Sequence, residues 1–496
     1  MTENKTENES QRGFDRKMTL SDKVKMVLWL IVLVLFALWM SSWIPFIFVP
    51  FVVDLYWMHF IKWDWWKDLK NGFLRGVMSW VDAIVFALCA VWILQNFFFQ
   101  NFQIPTTSLE KTMLAGDYLM VSKYHYGPRV PMTPLSLPLF QNTITIGNTS
   151  LGKSYIEKPQ INYRRMPGLT DIERYDIVVF NYPNGDTICT KCENPDYYSL
   201  CQAYGRNKVW SDKRQFGDIV YRPVDRRENY VKRLVGMPGE TLQIIDRQVL
   251  IDGKELPNPQ YLQHFYLVLS KGGAISDTYW RRELGIYTKG NASTLSPDVY
   301  QINDAGVYEY LGIEPDSVTG SYHPLYQVNM TREMVEKLEK SGKVEWVHEM
   351  PLEWEQPGQV YPQRELSDWT AANYGPIWIP RRGASIKLTD ENVELYGRCI
   401  RSYEQNLKTG NGQGNSLVRI GKDSYELNGE PATEYTFQMD YYWMMGDNRD
   451  NSLDSRFWGF VPEDHIVGTP LFVWFSINQE TGEWRKDRWF KQVKGL

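Results

Sequence analysis

Apolar residues concentrate before about residue 100. From Met26 to Phe60 the run MVLWLIVLVLFALWMSSWIPFIFVPFVVDLYWMHF carries one acid, Asp54, and no Lys or Arg. A second run, Val81 to Phe99, again holds a single acid, Asp82. About 20 apolar helical residues cross the hydrocarbon core, so the second run predicts a transmembrane helix over 79–99. The first run, 26–60, is too long for one span and short for two. Ser41, Ser42 and Pro45 interrupt it, so a tight or re-entrant hairpin competes with one long tilted helix. A cleaved signal peptide would need a short apolar core and a small-residue site near residue 30, and neither is visible. Between the runs, residues 61–78 combine Lys62, Lys67, Lys70 and Arg75 with Trp63, Trp65 and Trp66. Basic residues stay inside and Trp settles at headgroup level, so this reads as a cytoplasmic interfacial loop. The tail, 1–25, with Lys5, Arg12, Arg16, Lys17, Lys23 and Lys25, also favours the inside, which supports the hairpin. Residues beyond 100 then face the other side.

After Phe99 no apolar run is long enough to span again. Short β-branched and aromatic runs replace them, at DIVVF (176–180), YVKRLVG (230–236), TLQIIDRQVLIDGKEL (241–256) and TPLFVWFS (469–476). Turn residues separate these runs, the pattern of a mainly antiparallel β structure. Residues 257–440 differ in texture, with a helical pattern over 331–343 and a Gly/Asn-rich stretch at 409–415. They read as a large α+β insertion, an accessory domain, between the two parts of one β domain, 100–256 and 441–496.

The 496 residues suffice for about three domains. With 54 basic against 59 acidic side chains, net −5, no overall basic field points to nucleic acid. A mean hydropathy of −0.41 excludes a multi-span transporter. Aromatic content is high, 15% with 20 Trp and 30 Tyr, against only 6 His. Cys189, Cys192 and Cys201 cluster without a fourth ligand at zinc-site spacing, so a disulfide between two of them is favoured over zinc.

Three segments carry candidate chemistry. Ser108 follows the second apolar run, within QIPTTSLEKTMLAGDYLMVSKYHYG (103–127), and as an isolated serine it also fits a helix N-cap. Lys232 sits in an apolar strand pattern whose alternation would send its side chain inward. A buried amine with a depressed pKa can serve as a general base, whereas an edge-strand lysine would pair with an acid. The third segment, 444–462, packs Asp447, Asn448, Arg449, Asp450, Asn451, Ser452, Asp454, Ser455 and Arg456 between WMM and FWGF. Buried at that density, these groups must satisfy one another.

In this order and behind membrane spans, the chain resembles bacterial type I signal peptidases. The resemblance rests on IPTTSLEKTMLAGDYLMVSK (104–123), RYDIVVFNYP (174–183), YVKRLVGMPGE with the following VLIDGKEL (230–256), and GDNRDNSLDSRFWGFVP (446–462). It implies a membrane-bound serine endopeptidase with a signal-peptidase-like β fold, needing no metal or cofactor, on the extracytoplasmic side of the bacterial plasma membrane. Ser108 would be the nucleophile and Lys232 the general base of a Ser–Lys dyad. The Ser108 backbone N–H and the Thr106 hydroxyl would form the oxyanion hole. Ser452 would orient the lysine, and Asp447, Arg449, Asp454 and Arg456 would supply a supporting ion-pair network, with Arg233 structural. Leu109 and Lys111 depart from the family pattern, which usually has Met and often Pro there.

The implied substrates are the signal peptides of exported preproteins, bound extended and cut after small residues at Ala-X-Ala sites, with pockets near Ile104 and the apolar neighbours of Lys232. The implied partners are these preproteins, the lipid bilayer and a nearby secretion translocon, with no nucleic acid. Two rivals remain: a soluble-type Ser–Lys autoprotease, disfavoured by the spans and acidic composition, and a membrane-anchored binding protein with a relict site. The aromatic excess divides into an interfacial belt, a β core and a membrane-facing surface expected near Trp458 or within 484–494.

Overall fold

The computed structural model describes residues 17–146, 149–183, 187–192, 197–287, 298–363, 368–404 and 414–493. The tail residues Lys5, Arg12 and Arg16 and most of the 409–415 stretch lie outside the described residues. The chain forms two compact units, one of residues 1–99 with 123–170 and one of 100–122 with 171–496.

In the first unit, helix α1 (Leu20–Met40) starts ahead of the apolar run because Thr19 caps it, its hydroxyl accepting from the Asp22 N–H. Ser41 ends the helix in the left-handed region, at φ 46°. The apolar run then turns back through the short helical segment Ile44–Met58, which packs against α1. Asp54 is buried at the end of this return. One of its oxygens accepts from the Phe60 N–H at 2.8 Å, and the other accepts from Ile61 N–H at 3.2 Å and Trp63 Nε1 at 3.0 Å. The lone acid of this run therefore clasps a helix C-terminus. Helix α2 (Gly72–Ile93) is capped by Asn71, begins before position 79, and continues as a π-turn to Phe98. Both α1 and the 72–98 helix are long and apolar enough to cross a membrane. Met40 and Phe97 share one cluster with Val130 and Met166, so the two helices run in the same direction with the return between them.

The strands of the three larger sheets include, in chain order, β1 (Phe99–Gln103), β2 (Asp117–Ser122), β3 (Ile177–Asn181), β4 (Asn229–Gly236), β5 (Thr241–Ile245), β6 (Gln248–Ile251), β7 (Gln263–Ser270), β8 (Val299–Ile302), β9 (Leu325–Thr331), β10 (Val344–Glu349), β11 (Tyr374–Trp378), β12 (Tyr441–Met445), β13 (Val461–Pro462), β14 (Ile466–Ser476) and β15 (Lys491–Gln492). The main sheet runs β1-β2-β14-β3-β4-β12-β13, with β15 on β14, and its registered pairs are antiparallel. A second sheet joins Lys254–Glu255, β6, β5 and β11, and a third runs β8-β9-β7-β10.

Residues 257–440 divide between two kinds of packing. The third sheet has its own apolar clusters: Val268, Trp280, Val328 and Met330 in one, Leu267, Leu269, Tyr308 and Leu325 in the other. Helix α3 (Arg332–Lys340), begun by its cap Thr331, buries Met334 and Leu338 in the first of these. Val360, Tyr374, Ile377, Ile400, Tyr425 and Phe437 instead fill a core shared with Val235, Leu242, Trp443 and Phe460. Cys189, Cys192 and Cys201 gather around Tyr197, Leu200, Val209 and Phe216 with no disulfide between any two of them, so the expected disulfide is not formed in this structure.

Candidate active site

Residues 104–117 form a tight loop between β1 and β2. Its base is closed by backbone hydrogen bonds from Ile104 N–H to Asp117 and from Gly116 N–H to Ile104, both 2.8 Å. Residues 106–113 are turns rather than a helix, so Ser108 is not an N-cap. Leu109 and Met113 anchor the loop in a core with Ile104, Leu119, Ile177 and Val467, so Leu109 supplies the apolar plug this position needs. Lys111 has φ 71°, which a proline ring, locked near −65°, cannot adopt.

Lys232 lies on β4 opposite Val178 of β3, and β12 pairs with the next residues of β4. Burial does not alternate here: Lys232, Arg233, Leu234, Val235 and Gly236 are all buried, because both faces of this central strand are covered. The Lys232 Nζ lies 2.6 Å from the Ser108 Oγ, with Lys232 3% and Ser108 7% exposed. Burial lowers the Lys232 pKa to about 8, against the opposing pull of Asp454 and Asp447. The Thr106 hydroxyl, on the exposed side, is 3.5 Å from the Ser108 Oγ.

The third segment wraps behind this pair. Asp447 takes two 2.7 Å hydrogen bonds from Arg233 and a third from the Thr112 hydroxyl. Asp454 takes two 2.9 Å bonds from Arg456 and one from the Gly446 N–H. Burial alone would raise the Asp454 pKa, but Arg456 and the Gly446 amide hold it below its usual range. Arg449 donates from Nε to the Gly446 carbonyl, and burial, then Arg456, pushes its pKa down to about 10. The network is thus two carboxylate–guanidinium pairs, with Arg233 as one cation and Arg449 turned to a carbonyl. The Ser452 hydroxyl is buried without a hydrogen-bond partner, so it makes no hydrogen bond to Lys232 here. A Cβ on Gly446 would fall 2.2 Å from that hydroxyl and 2.5 Å from the Ser108 carbonyl, so only glycine fits.

Several residues that hold the site carry no sequence-level signal of that role. The Asn448 N–H donates to the Ser108 carbonyl and its side-chain amide to the Thr107 carbonyl, both 3.1 Å. Asn448 is held in turn by Asn329 of β9. Glu110, also in this loop, has an oxygen with no partner, and burial raises its pKa to about 7 against Lys111 and Arg485. Trp458 is 2% exposed, packed with Phe180, Tyr182 and Tyr230 beneath the lysine, which corrects its expected membrane-facing role. The short helix Ser455–Trp458, capped by Asp454, directs the indole into the sheet. Trp484, Trp489 and Phe490 are exposed.

A family model described as signal peptidase, peptidase S26, matches residues 77–268 and 379–475, more than half the chain and all of the segments above. Residues 269–378, with most of the third sheet, fall outside the match. Signal peptidase I of Haemophilus influenzae is 23% identical over 420 residues, covering 84% of this chain and 76% of that protein. Its namesake in Buchnera aphidicola subsp. Baizongia pistaciae is 23% identical over 411 residues, 82% of this chain and 80% of that protein. Signal peptidase I of Pseudomonas aeruginosa is 41% identical over 100 residues, 18% of this chain and 33% of that protein. This chain therefore belongs to the signal peptidase family, peptidase S26, and is an enzyme whose substrates are preproteins carrying signal peptides.

Proposed function

We propose that the enzyme cleaves with a Ser–Lys dyad. Neutral Lys232 accepts the Ser108 hydroxyl proton as Oγ attacks the scissile carbonyl, then delivers it to the leaving amine. The acyl-enzyme is hydrolysed by a water that the same amine activates. The Ser108 N–H and the Thr106 hydroxyl stabilise the tetrahedral oxyanion, and losing the hydroxyl would cost about 3 kcal/mol in the transition state. Ser452, with an uncommitted hydroxyl, receives the Lys232 amine when it turns from Ser108. The Arg233–Asp447 and Arg456–Asp454 pairs keep strand and loop in register, and Arg449 supports the loop backbone. The reading is carried by one observation, the 2.6 Å approach of a desolvated amine to a buried serine.

The substrate lies extended beside the 104–108 segment, with small side chains at the first and third positions before the cut, as in Ala-X-Ala sites. The apolar helices α1 and α2 anchor the chain in the bacterial plasma membrane, with residues beyond 100 extracytoplasmic and near the secretion translocon. Exposed Trp474, Trp484, Trp489 and Phe490 suit headgroup contact by the catalytic part. The test is cleavage of an Ala-X-Ala preprotein by detergent-solubilised enzyme. Wild type should cut at that site; if it cuts no better than Ser108→Ala or Lys232→Met, the dyad is lost.

A further inference from the structure

The excursion 123–170 differs from the rest of the chain in charge and surface. It carries Lys123, Arg129, Lys153, Lys158, Arg164 and Arg165 against a single acid, Glu157, whereas the whole chain is net −5. It folds in one unit with α1 and α2, and three long-range hydrogen bonds tie it to them. Trp39 Nε1 donates to the Pro167 carbonyl at 3.0 Å, Arg164 to the Ser41 carbonyl at 3.0 Å, and the Leu139 N–H to the Gln95 Oε1 at 3.2 Å. Val130 and Met166 close the shared apolar cluster with Met40 and Phe97.

The contact to Gln95 sets the level of the loop, because Gln95 lies within the apolar helical stretch Gly72–Phe98. At that level the loop turns leucines outward: Leu135, Leu137 and Leu139 are exposed, with Ser136 and Pro138 between them. Leu139 is 68% exposed and holds φ 73°, in the left-handed region that leucine avoids. Leu151, Ile156 and Leu169 are exposed as well. An aqueous surface gives no return for such an arrangement, whereas a bilayer interface rewards both its aliphatic side chains and its cations.

We propose that this excursion is an interfacial platform: the Leu135–Leu139 ridge enters the headgroup–acyl boundary beside the ends of α1 and α2, and the cationic side chains bind anionic headgroups. The proposal rests on reading α1 and α2 as bilayer spans, and its occupant is an anionic lipid surface. The positive charge is concentrated where the exposed aliphatics are, and both are continuous with the lipid-facing helices.

The test uses the full chain in nanodiscs of mixed phosphatidylglycerol and phosphatidylcholine. A nitroxide amino acid is introduced by codon suppression at position 139, at position 35 in α1 as the span control, and at exposed Val318 as the water control. Accessibility to oxygen against a water-soluble nickel chelate reports depth. Position 139 should favour oxygen several-fold over position 318, and the preference should fall at least twofold in pure phosphatidylcholine or in Lys153→Gln/Lys158→Gln. If position 35 is deep and 139 behaves like 318, the platform is wrong while the spans stand. If position 35 is also nickel-accessible, both readings fall. A deep position 139 that ignores lipid charge and both lysine substitutions overturns the anionic-surface assignment.

Discussion

The loop at 446–456 and the β7–β10 sheet touch each other but are built on opposite principles. The loop is made of polar and charged groups that satisfy one another: buried Asp447 with Arg233, buried Asp454 with Arg456, and half-buried Asp450 with the His264 ring and the Phe265 N–H. The sheet is held by interchangeable apolar contacts among Val268, Val328, Met330, Leu267 and Leu325. A buried ion whose partner is removed has nothing to replace it, whereas a shortened aliphatic leaves neighbours that relax. Lys232 is the exception inside the loop's neighbourhood. It is buried and faces a hydroxyl, and that leaves its pKa near 8 while Arg233 beside it stays paired.

The largest expected effect follows from that exception. Lowering pH protonates Lys232, so kcat/KM should fall about tenfold per unit below about 8, reaching roughly 10³-fold at pH 5. A flat or acid-favoured pH–rate profile would contradict an amine base. Next, Asp447→Asn leaves Arg233 buried beside a neutral partner and should cost about 3–5 kcal/mol in denaturant unfolding, with activity lost in parallel. An unaffected midpoint would remove the contrast with the sheet.

Glu110 sharpens the pH reading because it titrates near the same window. Its folded pKa is raised from 4.5 to about 7, so its contribution to stability is complete below 4.5 and is lost as pH rises through about 7. Burial drives the shift, with Lys111, Arg485 and Arg488 opposing and Asp117 adding to it. Glu110→Gln should therefore stabilise the protein at pH 8, by up to about 3 kcal/mol, and leave it unchanged at pH 4, as thermal unfolding at the two pH values would report. The descending limb of the rate profile should survive this substitution; if it disappears, the limb belongs to Glu110 and not to Lys232. The smallest effect is expected in the sheet. Val328→Ala should cost about 2 kcal/mol and leave kcat/KM within twofold, measured on the same preparation. A larger catalytic loss would mean that β9 governs the loop through the neighbouring Asn329–Asn448 contact.

Much of the candidate site was legible because its polar residues lie in short, ordered segments. Ser108, Lys232, Asp447, Asp454 and Arg456 converge as the motif order implies, and the strand runs at 176–180, 230–236 and 469–476 form β3, β4 and β14. Less legible was anything set by partners distant in sequence. Alternation in β4 could not separate Lys232 from Arg233, because both faces are covered. Trp458 looked like an interfacial aromatic until the Asp454-capped turn directed it inward. The role of Asn329 depends on β9 reaching Asn448 across more than a hundred residues, for which no local pattern exists.

Local pattern determined the two long apolar helices, most of the strands and the candidate site residues, because periodicity, capping and motif spacing act over a few residues. The tertiary structure decided which charges pair, that Ser452 stands unbonded, and that the lysine is desolvated against the serine. It also decided that the 123–170 excursion joins α1 and α2. Burial and electrostatics depend on what the rest of the chain brings to a point in space, and neighbours in sequence do not encode that.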